Sequence, residues 1–299
     1  MSAQNTHYQR ILSSISQTIE QKFDKIGLLY RLFGRVKSDA SLKSKITSNP
    51  GKYSTTLGGK KIQDVIGLRI TLYFTDDLDI AISILKKLFD WDEQASNIDD
   101  FSHNTFEATR CNLIFKLPKE LCLSLSLDAE GYCDNTFEVQ IRTVFSEGWH
   151  EVEHDLRYKH KSDWDTYNDA TRTLNGFLAS LETVDWGILQ LLEDLSYKHY
   201  KAKNWEAMLR NKLRIRISNP NDPLKENILS LFNDHKSELG KSFYRLNRPK
   251  IINQIYANNI SLPLTLNNLV YIINELEIKN KDLSDLTPSI IMSKIHNNQ

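Results

Sequence analysis

The clearest strand signal in this chain is the stretch Thr-Phe-Glu-Val-Gln-Ile-Arg-Thr at residues 136–143. Successive side chains of a strand point to opposite faces, so its aliphatic residues share one face and Glu138, Gln140 and Arg142 share the other. A carboxylate, an amide and a guanidinium side by side need water, each other or a ligand. The stretch therefore predicts a buried strand with one polar face, which is either a ligand site or an ordinary solvated sheet face.

The segments around this strand predict strands and helices that alternate along the chain. Strands are predicted for residues 65–74, 112–117, 122–127 and 136–143, with Lys119-Glu120 as a turn, and helices for residues 8–33, 78–89, 144–161 and 166–199. Residues 34–50 are predicted to begin as a strand and to continue as a short helix. The pattern favours an α+β fold, a mixed sheet flanked by helices over residues 1–165, with an all-helical C-terminal extension over residues 166–299.

Composition excludes several classes of protein. Among the 299 residues, 40% are hydrophobic and 25% are charged, which is the balance of a globular protein and not of a disordered or fibrous chain. No apolar run is long enough to cross a membrane, and the N-terminus has no signal-peptide pattern, so we expect a cytoplasmic protein without membrane contact. The three cysteines match no zinc or disulfide spacing, and we expect them to be reduced thiols.

Charge is distributed unevenly along the chain. Residues 200–299 contain fifteen Lys/Arg and nine Asp/Glu, a net charge of +6, and residues 1–199 carry −6. A basic C-terminal third is able to meet a polyanion, although a solvated helical face explains the same charges.

Two further segments carry chemistry. In the first, Arg35 and Lys37 share a face if the chain is extended, and Ser41 and Lys45 share one if the following turn is helical. These cations and this hydroxyl could converge on phosphates, or they could form a solvated basic loop. In the second segment, Asp64 precedes a buried strand, where it could bind Mg²⁺ together with another carboxylate, or cap the strand.

Four motifs together resemble the synthetase domain of the RelA/SpoT alarmone synthetases over residues 10–165. They are Gly-Arg-Val-Lys-Ser from residue 34 with Ser41 and Lys45, Asp-Val-Ile-Gly-Leu-Arg from residue 64, Glu-Val-Gln-Ile-Arg-Thr from residue 138, and residues 151–159. The resemblance implies a fold related to nucleotidyltransferases. It also implies a Mg²⁺-dependent transfer of the β,γ-pyrophosphate of ATP to a ribose 3′-hydroxyl, with AMP leaving.

The resemblance implies a role for each matching residue. The ATP phosphates would be held by Arg35, Lys37, Ser41, Lys45 and Arg69. Asp64 would bind Mg²⁺, and Glu138 would complete the metal site or take the proton of the attacking hydroxyl. Gln140 and Arg142 would orient Glu138 and the phosphates, which makes Asp64, Glu138, Gln140 and Arg142 the predicted catalytic set.

The acceptor side departs from the family pattern. Members that make guanosine alarmones have a Gly-Tyr-x-x-x-His segment whose Tyr stacks on guanine, whereas Ala108 and Asn112 stand at these two positions here. A methyl group cannot replace a stacking face that contributes about 1–3 kcal/mol. The predicted acceptor-binding residues are therefore Phe106, Arg110 and Asn112, with His154 as a further candidate.

His154 belongs to a set of residues that recur at helical spacing after the polar strand. Glu147, Glu151, His154 and Tyr158 share one helix face if the helix is regular. This face could line the cleft, but the interpretation that we favour for His154 and Tyr158 is packing against the sheet.

Three functions remain open at this level. The first is an enzyme that makes a pyrophosphorylated guanosine or adenosine nucleotide of the (p)ppGpp or (p)ppApp type. The second is a growth-inhibiting toxin that modifies the 3′ end of tRNA, which the altered acceptor segment and the +6 charge favour somewhat. The third is a catalytically weak nucleotide-binding regulatory module, which the presence of both Asp64 and Glu138 disfavours.

The resemblance also bears on partners. ATP is the expected donor, and GTP or GDP, an adenine nucleotide or tRNA is the expected acceptor. An antitoxin or trigger protein and a homo-oligomer are partners that the C-terminal helices could serve. Since only a short segment precedes the first predicted helix, a hydrolase domain is not expected.

Overall fold

The computed structural model describes residues 3–56, 59–99, 111–122, 131–219, 221–234 and 238–296. These residues belong to two compact units. The first comprises residues 1–20 and 30–183, and the second comprises residues 21–29 and 184–299. The division of the chain into domains at residues 165 and 166 stays a prediction.

The first unit contains a five-stranded mixed sheet. Its strands are β1 (Tyr30–Val36), β2 (Ile66–Leu72), β3 (Trp91–Ile98), β4 (Cys111–Lys116) and β5 (Thr136–Thr143). They lie in the order β1-β2-β5-β4-β3. The pair β2 and β5 is parallel, and the other three pairs are antiparallel. The polar strand of the sequence is therefore the central strand of the sheet.

Helices flank the sheet and form the C-terminal region. The first six are α1 (Ala3–Lys25), α2 (Asp39–Thr47), α3 (Leu78–Leu88), α4 (Lys119–Cys122), α5 (Val144–Val152) and α6 (Asn168–Lys201). They are followed by α7 (Trp205–Leu213), α8 (Glu226–Asn233), α9 (Leu239–Tyr244), α10 (Arg248–Ala257), α11 (Leu266–Ile273), α12 (Lys281–Leu286) and α13 (Ser289–His296). The predicted fold class, a mixed sheet with flanking helices and a helical C-terminal region, is confirmed.

Burial along β5 alternates as its sequence predicts. Phe137 and Val139 are fully buried and Ile141 nearly so, whereas the polar residues between them are half-buried. The ring of Phe137 contacts those of Phe115 and Phe89 at centroid distances of 5.4 and 5.1 Å. Each buried aromatic side chain of this kind stabilises the folded state by about 1.5–3 kcal/mol. This apolar face fixes the register of β5 and thereby the position of its polar face.

The N-terminal helix is shorter than predicted. The apolar spacing predicted a helix to Phe33, but α1 ends at Lys25, and Tyr30–Val36 form the edge strand β1. Gly27 has φ +71°, a left-handed conformation that ends a helix and that glycine adopts without strain. Pairing of β1 with β2 then overrides the helical spacing of residues 29–33.

Three other elements differ from the prediction. The strand β3 was missed because its sequence, Trp-Asp-Glu-Gln-Ala-Ser-Asn-Ile, has almost no apolar residue of a buried strand. Lys119-Glu120 belong to the short helix α4 and not to a turn, and Cys122 is helical; the rest of the predicted strand 122–127 lies outside the described residues. The predicted helix 144–161 is α-helical only to Val152, after which Glu153–Tyr158 form a π-helical turn.

The junction between β5 and α5 is a capping box. The hydroxyl of Thr143 accepts a hydrogen bond from the backbone N–H of Ser146 at 3.2 Å, and the Ser146 hydroxyl accepts one from the N–H of Thr143 at 3.0 Å. These bonds satisfy backbone groups that the first helical turn leaves without partners. As a result, α5 begins directly at the end of the polar strand. Within the described ranges, no helix is both long and apolar enough to cross a membrane.

Candidate active site

The candidate site lies on the polar face of the sheet, where side chains of neighbouring strands stand in register. Glu138 of β5 pairs with Gly67 of β2, which pairs with Arg35 of β1. Arg35 lies over Gly67, because a Cβ at Gly67 would be only 3.8 Å from the Arg35 Cγ. The adjacent row of the sheet consists of Phe33, Arg69, Gln140 and Asn112. Strand pairing therefore brings residues from three of the four motifs to one surface.

A cleft of about 160 Å³ opens over these rows, below the about 300–1,000 Å³ of usual small-molecule pockets. Its charged, amide and aromatic side chains are those of Phe33, Arg35, Arg69, Glu138, Gln140 and Glu151. Two guanidinium groups and two carboxylates in so small a space are suited to a ligand that is itself highly charged. Arg35, Arg69, Glu138 and Gln140 are predicted site residues, and the structure brings them together.

A second charged cluster surrounds Asp64. The ammonium of Lys45 lies 2.9 Å from each carboxylate oxygen of Asp64, and the ammonium of Lys37 contacts one of the same oxygens. Burial raises the pKa of Asp64, but the hydrogen bonds from the two lysines outweigh it and hold this pKa below its ordinary value. Two of the residues predicted to bind ATP phosphates, Lys37 and Lys45, therefore form one ion cluster with Asp64, which was predicted to bind the metal.

The surroundings of Glu138 disfavour the ionised form of its carboxylate. Burial, and then the negative charge of Asp64, raise the pKa of Glu138. The Nε2 of Gln140 donates a hydrogen bond to Oε2 of Glu138 at 3.3 Å. The Oε1 of Gln140 accepts a bond from Arg142 at 3.2 Å. Gln140 thus orients Glu138 and is itself held by Arg142, which is the geometry that the alternation of β5 predicts.

Arg69 and Arg142 both form ion pairs with acidic residues of helix α5. One carboxylate, that of Glu147, binds Arg69 at 2.7 Å through Oε1 and Arg142 at 3.0 Å through Oε2. Glu151, one helical turn later, contacts the same nitrogen of Arg69 and lies 3.7 Å from Arg142. Glu147 and Glu151 were predicted to share a helix face that could line the cleft, but their binding to both arginines was not foreseen.

Other predicted residues lie elsewhere or outside the described residues. The Ser41 hydroxyl is 2.9 Å from that of Ser38, with which it shares a hydrogen bond. His154 is half-exposed and Tyr158 more so, and their rings stack on each other at 5.8 Å. Their predicted packing against the sheet is therefore wrong, because the π-helical turn from Glu153 changes the helical spacing. The acceptor candidates Phe106 and Arg110, with Ala108, lie outside the described residues.

His150 is a residue of this region that the sequence did not single out. It is 8% exposed, and burial together with the nearby charges of Arg142 and Arg69 lowers its pKa to about 4. The imidazole is therefore neutral at neutral pH, next to two guanidinium groups. A lone histidine in an amphipathic helix gives no sequence signal for this environment.

Acid is expected to destabilise the protein through His150. The unfolded state binds a proton near pH 6.5 and the folded state only near pH 4, so stability is lost as pH falls between these values. The loss should reach about 2 kcal/mol near pH 4.5. Urea denaturation near pH 7 and near pH 4.5 measures it. His150→Gln should remove most of this pH dependence, and His154→Gln should keep it. An equal loss of unfolding free energy between pH 7 and pH 4.5 in the wild type and both variants would contradict the expectation.

The described protein side chains could supply only some of the ligands that a divalent cation needs. Within the described ranges, no group of three or more His, Cys, Asp or Glu is arranged around a metal position. Asp64 and Glu138 are nevertheless close enough that the charge of one raises the pKa of the other. Mg²⁺ is usually bound by one or two carboxylates together with substrate phosphates. Asp64 and Glu138 suit it, because they are close together and Glu138 accepts few hydrogen bonds.

Comparisons with known proteins agree with this site. Residues 34–163 match a family model described as a region found in RelA / SpoT proteins. This range contains every motif described above, from the glycine before Arg35 to the turn after His154. It also contains the polar residues of β5 and the whole of α5. Residues 34–163 are therefore similar to the region found in RelA/SpoT proteins, and over these residues the recognition made from the four motifs is confirmed.

Solved structures with a similar chain include small alarmone synthetases. The chain is 21% identical to small alarmone synthetase 2 from Bacillus subtilis, with a TM-score of 0.46, over 64% of this chain and 98% of that one. It is 21% identical to small alarmone synthetase 1 of the same organism, with a TM-score of 0.47, over 62% of this chain and 92% of that one. It is 20% identical to a GTP pyrophosphokinase family protein from Streptococcus pneumoniae, with a TM-score of 0.43, over 62% of this chain and 90% of that one. No curated protein matches the chain.

Proposed function

We propose that this protein is an ATP-dependent pyrophosphokinase that transfers the β,γ-pyrophosphate of ATP to the 3′-hydroxyl of an acceptor nucleotide. The observation that carries the proposal is the joint placement of Asp64 and Glu138 beside Lys37 and Lys45, within a RelA/SpoT domain. Transfer of phosphoryl groups depends on alignment of the nucleophile and on neutralisation of charge on phosphate oxygens. These two carboxylates and two ammonium groups supply both.

The donor half of the site is assigned to the cations. Lys37 and Lys45 exchange Asp64 for the phosphates of ATP, and Arg35 and Arg69, which line the cleft, bind further phosphate oxygens. Arginine offers a planar fork and lysine a point charge, and both bind phosphate more strongly than neutral donors do. Ser41 is assigned to the same phosphates through its place on α2, one turn before Lys45.

The reaction is assigned to Glu138 and its neighbours. In the transfer, a bond forms between the acceptor 3′-oxygen and the β-phosphorus, the bond from that phosphorus to the bridging oxygen of the α-phosphate breaks, and AMP leaves. Glu138 accepts the proton of the 3′-hydroxyl, which its raised pKa favours. Gln140 and Arg142 hold the carboxylate in place. When Mg²⁺ is bound by Asp64 and Glu138, it supplies charge neutralisation on the phosphate oxygens.

The acceptor is a nucleotide or the 3′ end of tRNA. Phe106, Arg110, Asn112 and His154 are the residues that we assign to it; Asn112 is in register with Gln140 at the edge of the site. The sequence observation that favours tRNA and a toxin role is the +6 charge of residues 200–299. Residues 166–299 are accordingly proposed to bind the acceptor or a regulatory partner, such as an antitoxin, a trigger protein or a second copy.

A labelling assay tests the proposed function. The purified chain is incubated with Mg²⁺ and ATP labelled in the γ-phosphate, and separately with GTP, GDP, ADP and bulk tRNA. We expect one acceptor to become labelled while AMP is released in equal amount. Label on tRNA alone would support the toxin, and label on GTP or GDP would support an alarmone synthetase. ATP binding without label on any acceptor would support the regulatory module and contradict the enzyme.

The donor site is tested by two lysines of α2. Lys45→Ala removes a contact to the triphosphate and should weaken ATP binding by about 1.5–3 kcal/mol. Lys43 is exposed on the same helix, and the described ion pairs of Asp64 are those with Lys37 and Lys45, so Lys43→Ala is the matched control. Calorimetric titration with ATP measures both. Equal ATP affinity in the two variants would mean that α2 is a solvated basic segment.

A further inference from the structure

The two arginines of the site are held by two carboxylates in different ways. Glu147 binds Arg69 and Arg142 through separate oxygens, and its side chain is only 18% exposed. Glu151 contacts Arg69 from the following helical turn, is 49% exposed, and lines the cleft together with Glu138. The Glu147 carboxylate therefore lies on the buried side of the guanidinium groups. The Glu151 carboxylate lies on the cleft side, from which a ligand must approach.

The charges of this group are balanced before any ligand binds. Two guanidinium groups face two carboxylates, and burial together with the charge of Arg69 lowers the pKa of Arg142. A phosphate that enters the cleft adds negative charge beside Glu151 and needs the same nitrogen of Arg69. Because like charges at contact distance repel, the phosphate and the Glu151 carboxylate cannot share this position.

We infer that Glu151 is a displaceable counter-ion which occupies the phosphate position on Arg69 in the ligand-free protein, and that Glu147 is the positioning residue which keeps both arginines in place. The inference rests on the proposed function, because it takes a polyphosphate as the ligand. Glu151 leaves Arg69 when a phosphate oxygen binds there, and the small cleft widens as its side chain turns to solvent. Glu147 stays bound and keeps the two like-charged guanidinium groups side by side.

The two acids are one helical turn apart, and their neutral variants should have opposite effects. Glu151→Gln removes the competing charge, so ATP and inorganic tripolyphosphate should bind about three- to tenfold more tightly. Glu147→Gln releases the arginines, so kcat should fall about tenfold or more with a smaller change in KM. Glu147→Asp keeps the charge and should recover part of the rate. Glu153→Gln, which affects only the pair with Arg157 outside the cleft, is the matched control.

Calorimetric titration of the full chain with tripolyphosphate and with ATP tests the counter-ion role of Glu151. Steady-state kinetics test the positioning role of Glu147. Thermal unfolding shows that each variant is folded. Unchanged or weaker tripolyphosphate binding by Glu151→Gln would overturn the counter-ion role. A normal kcat in Glu147→Gln would overturn the positioning role. The binding measurement needs no turnover, so a wild-type protein that labels no acceptor refutes the proposed function without deciding the role of Glu151.

Discussion

Glu138→Gln is expected to reduce pyrophosphate transfer by more than about a hundredfold while ATP still binds. The amide has the shape of the carboxylate, but it cannot accept the proton of the 3′-hydroxyl and is a poor ligand for Mg²⁺. Since burial and Asp64 raise the pKa of Glu138, its ionised form destabilises the fold at neutral pH. The variant should therefore unfold at a urea concentration no lower than that of the wild type.

The control for this experiment is an acid of the outer strand. Glu93 is exposed on β3, and Glu93→Gln should keep the wild-type rate. The label transferred from ATP to the accepted substrate measures the rate, and urea denaturation measures the stability. Wild-type turnover by Glu138→Gln with any acceptor would refute the catalytic assignment of this residue.

Asp64→Asn should also lower transfer more than about a hundredfold, but with a different signature in binding. In the structure Asp64 accepts hydrogen bonds from Lys37 and Lys45, the two cations assigned to the phosphates. The substitution removes their counter-ion and one of the two carboxylates proposed to bind Mg²⁺. ATP should therefore bind the variant more tightly than the wild type when EDTA is present, and gain little from added Mg²⁺.

A surface ion pair provides the comparison for Asp64. Asp90 binds Lys116 at 3.0 Å with both side chains mostly exposed, and exposed pairs contribute little. Asp90→Asn should leave transfer and ATP binding in EDTA unchanged. If Asp64→Asn bound metal-free ATP more weakly than the wild type did, the two lysines would not be the phosphate ligands.

The alternation of β5 predicted the polar face of this strand correctly, because a strand fixes side-chain direction residue by residue. The polar face with Glu138, Gln140 and Arg142 was predicted from the sequence alone, and the apolar face is the core that holds it. Helical spacing was less reliable. Residues 29–33 have the spacing of a helix but form β1, because Gly27 ends α1 and the pairing with β2 stabilises the extended form.

The ion pairs between strands and helices were beyond sequence reasoning. Lys37 and Lys45 were assigned to phosphates, whereas in the ligand-free structure both bind Asp64. The position of Glu147 behind both arginines depends on where α5 begins, which the capping box of Thr143 decides. The π-helical turn that exposes His154 has no residue pattern that would have indicated it.

The strand order has a consequence for how this protein is made. The pairs β1/β2 and β3/β4 are antiparallel and each joins strands that are consecutive along the chain, whereas β5 is inserted between β2 and β4 and is synthesised last of the five. Long-range pairing of this kind is slow, because the entropy of the intervening chain is lost before contacts form. A nascent chain that ends before residue 136 has Lys37, Lys45 and Asp64 but no central strand. We therefore expect that no ATP-consuming activity exists on the ribosome until β5 has left the exit tunnel and joined the two halves of the sheet.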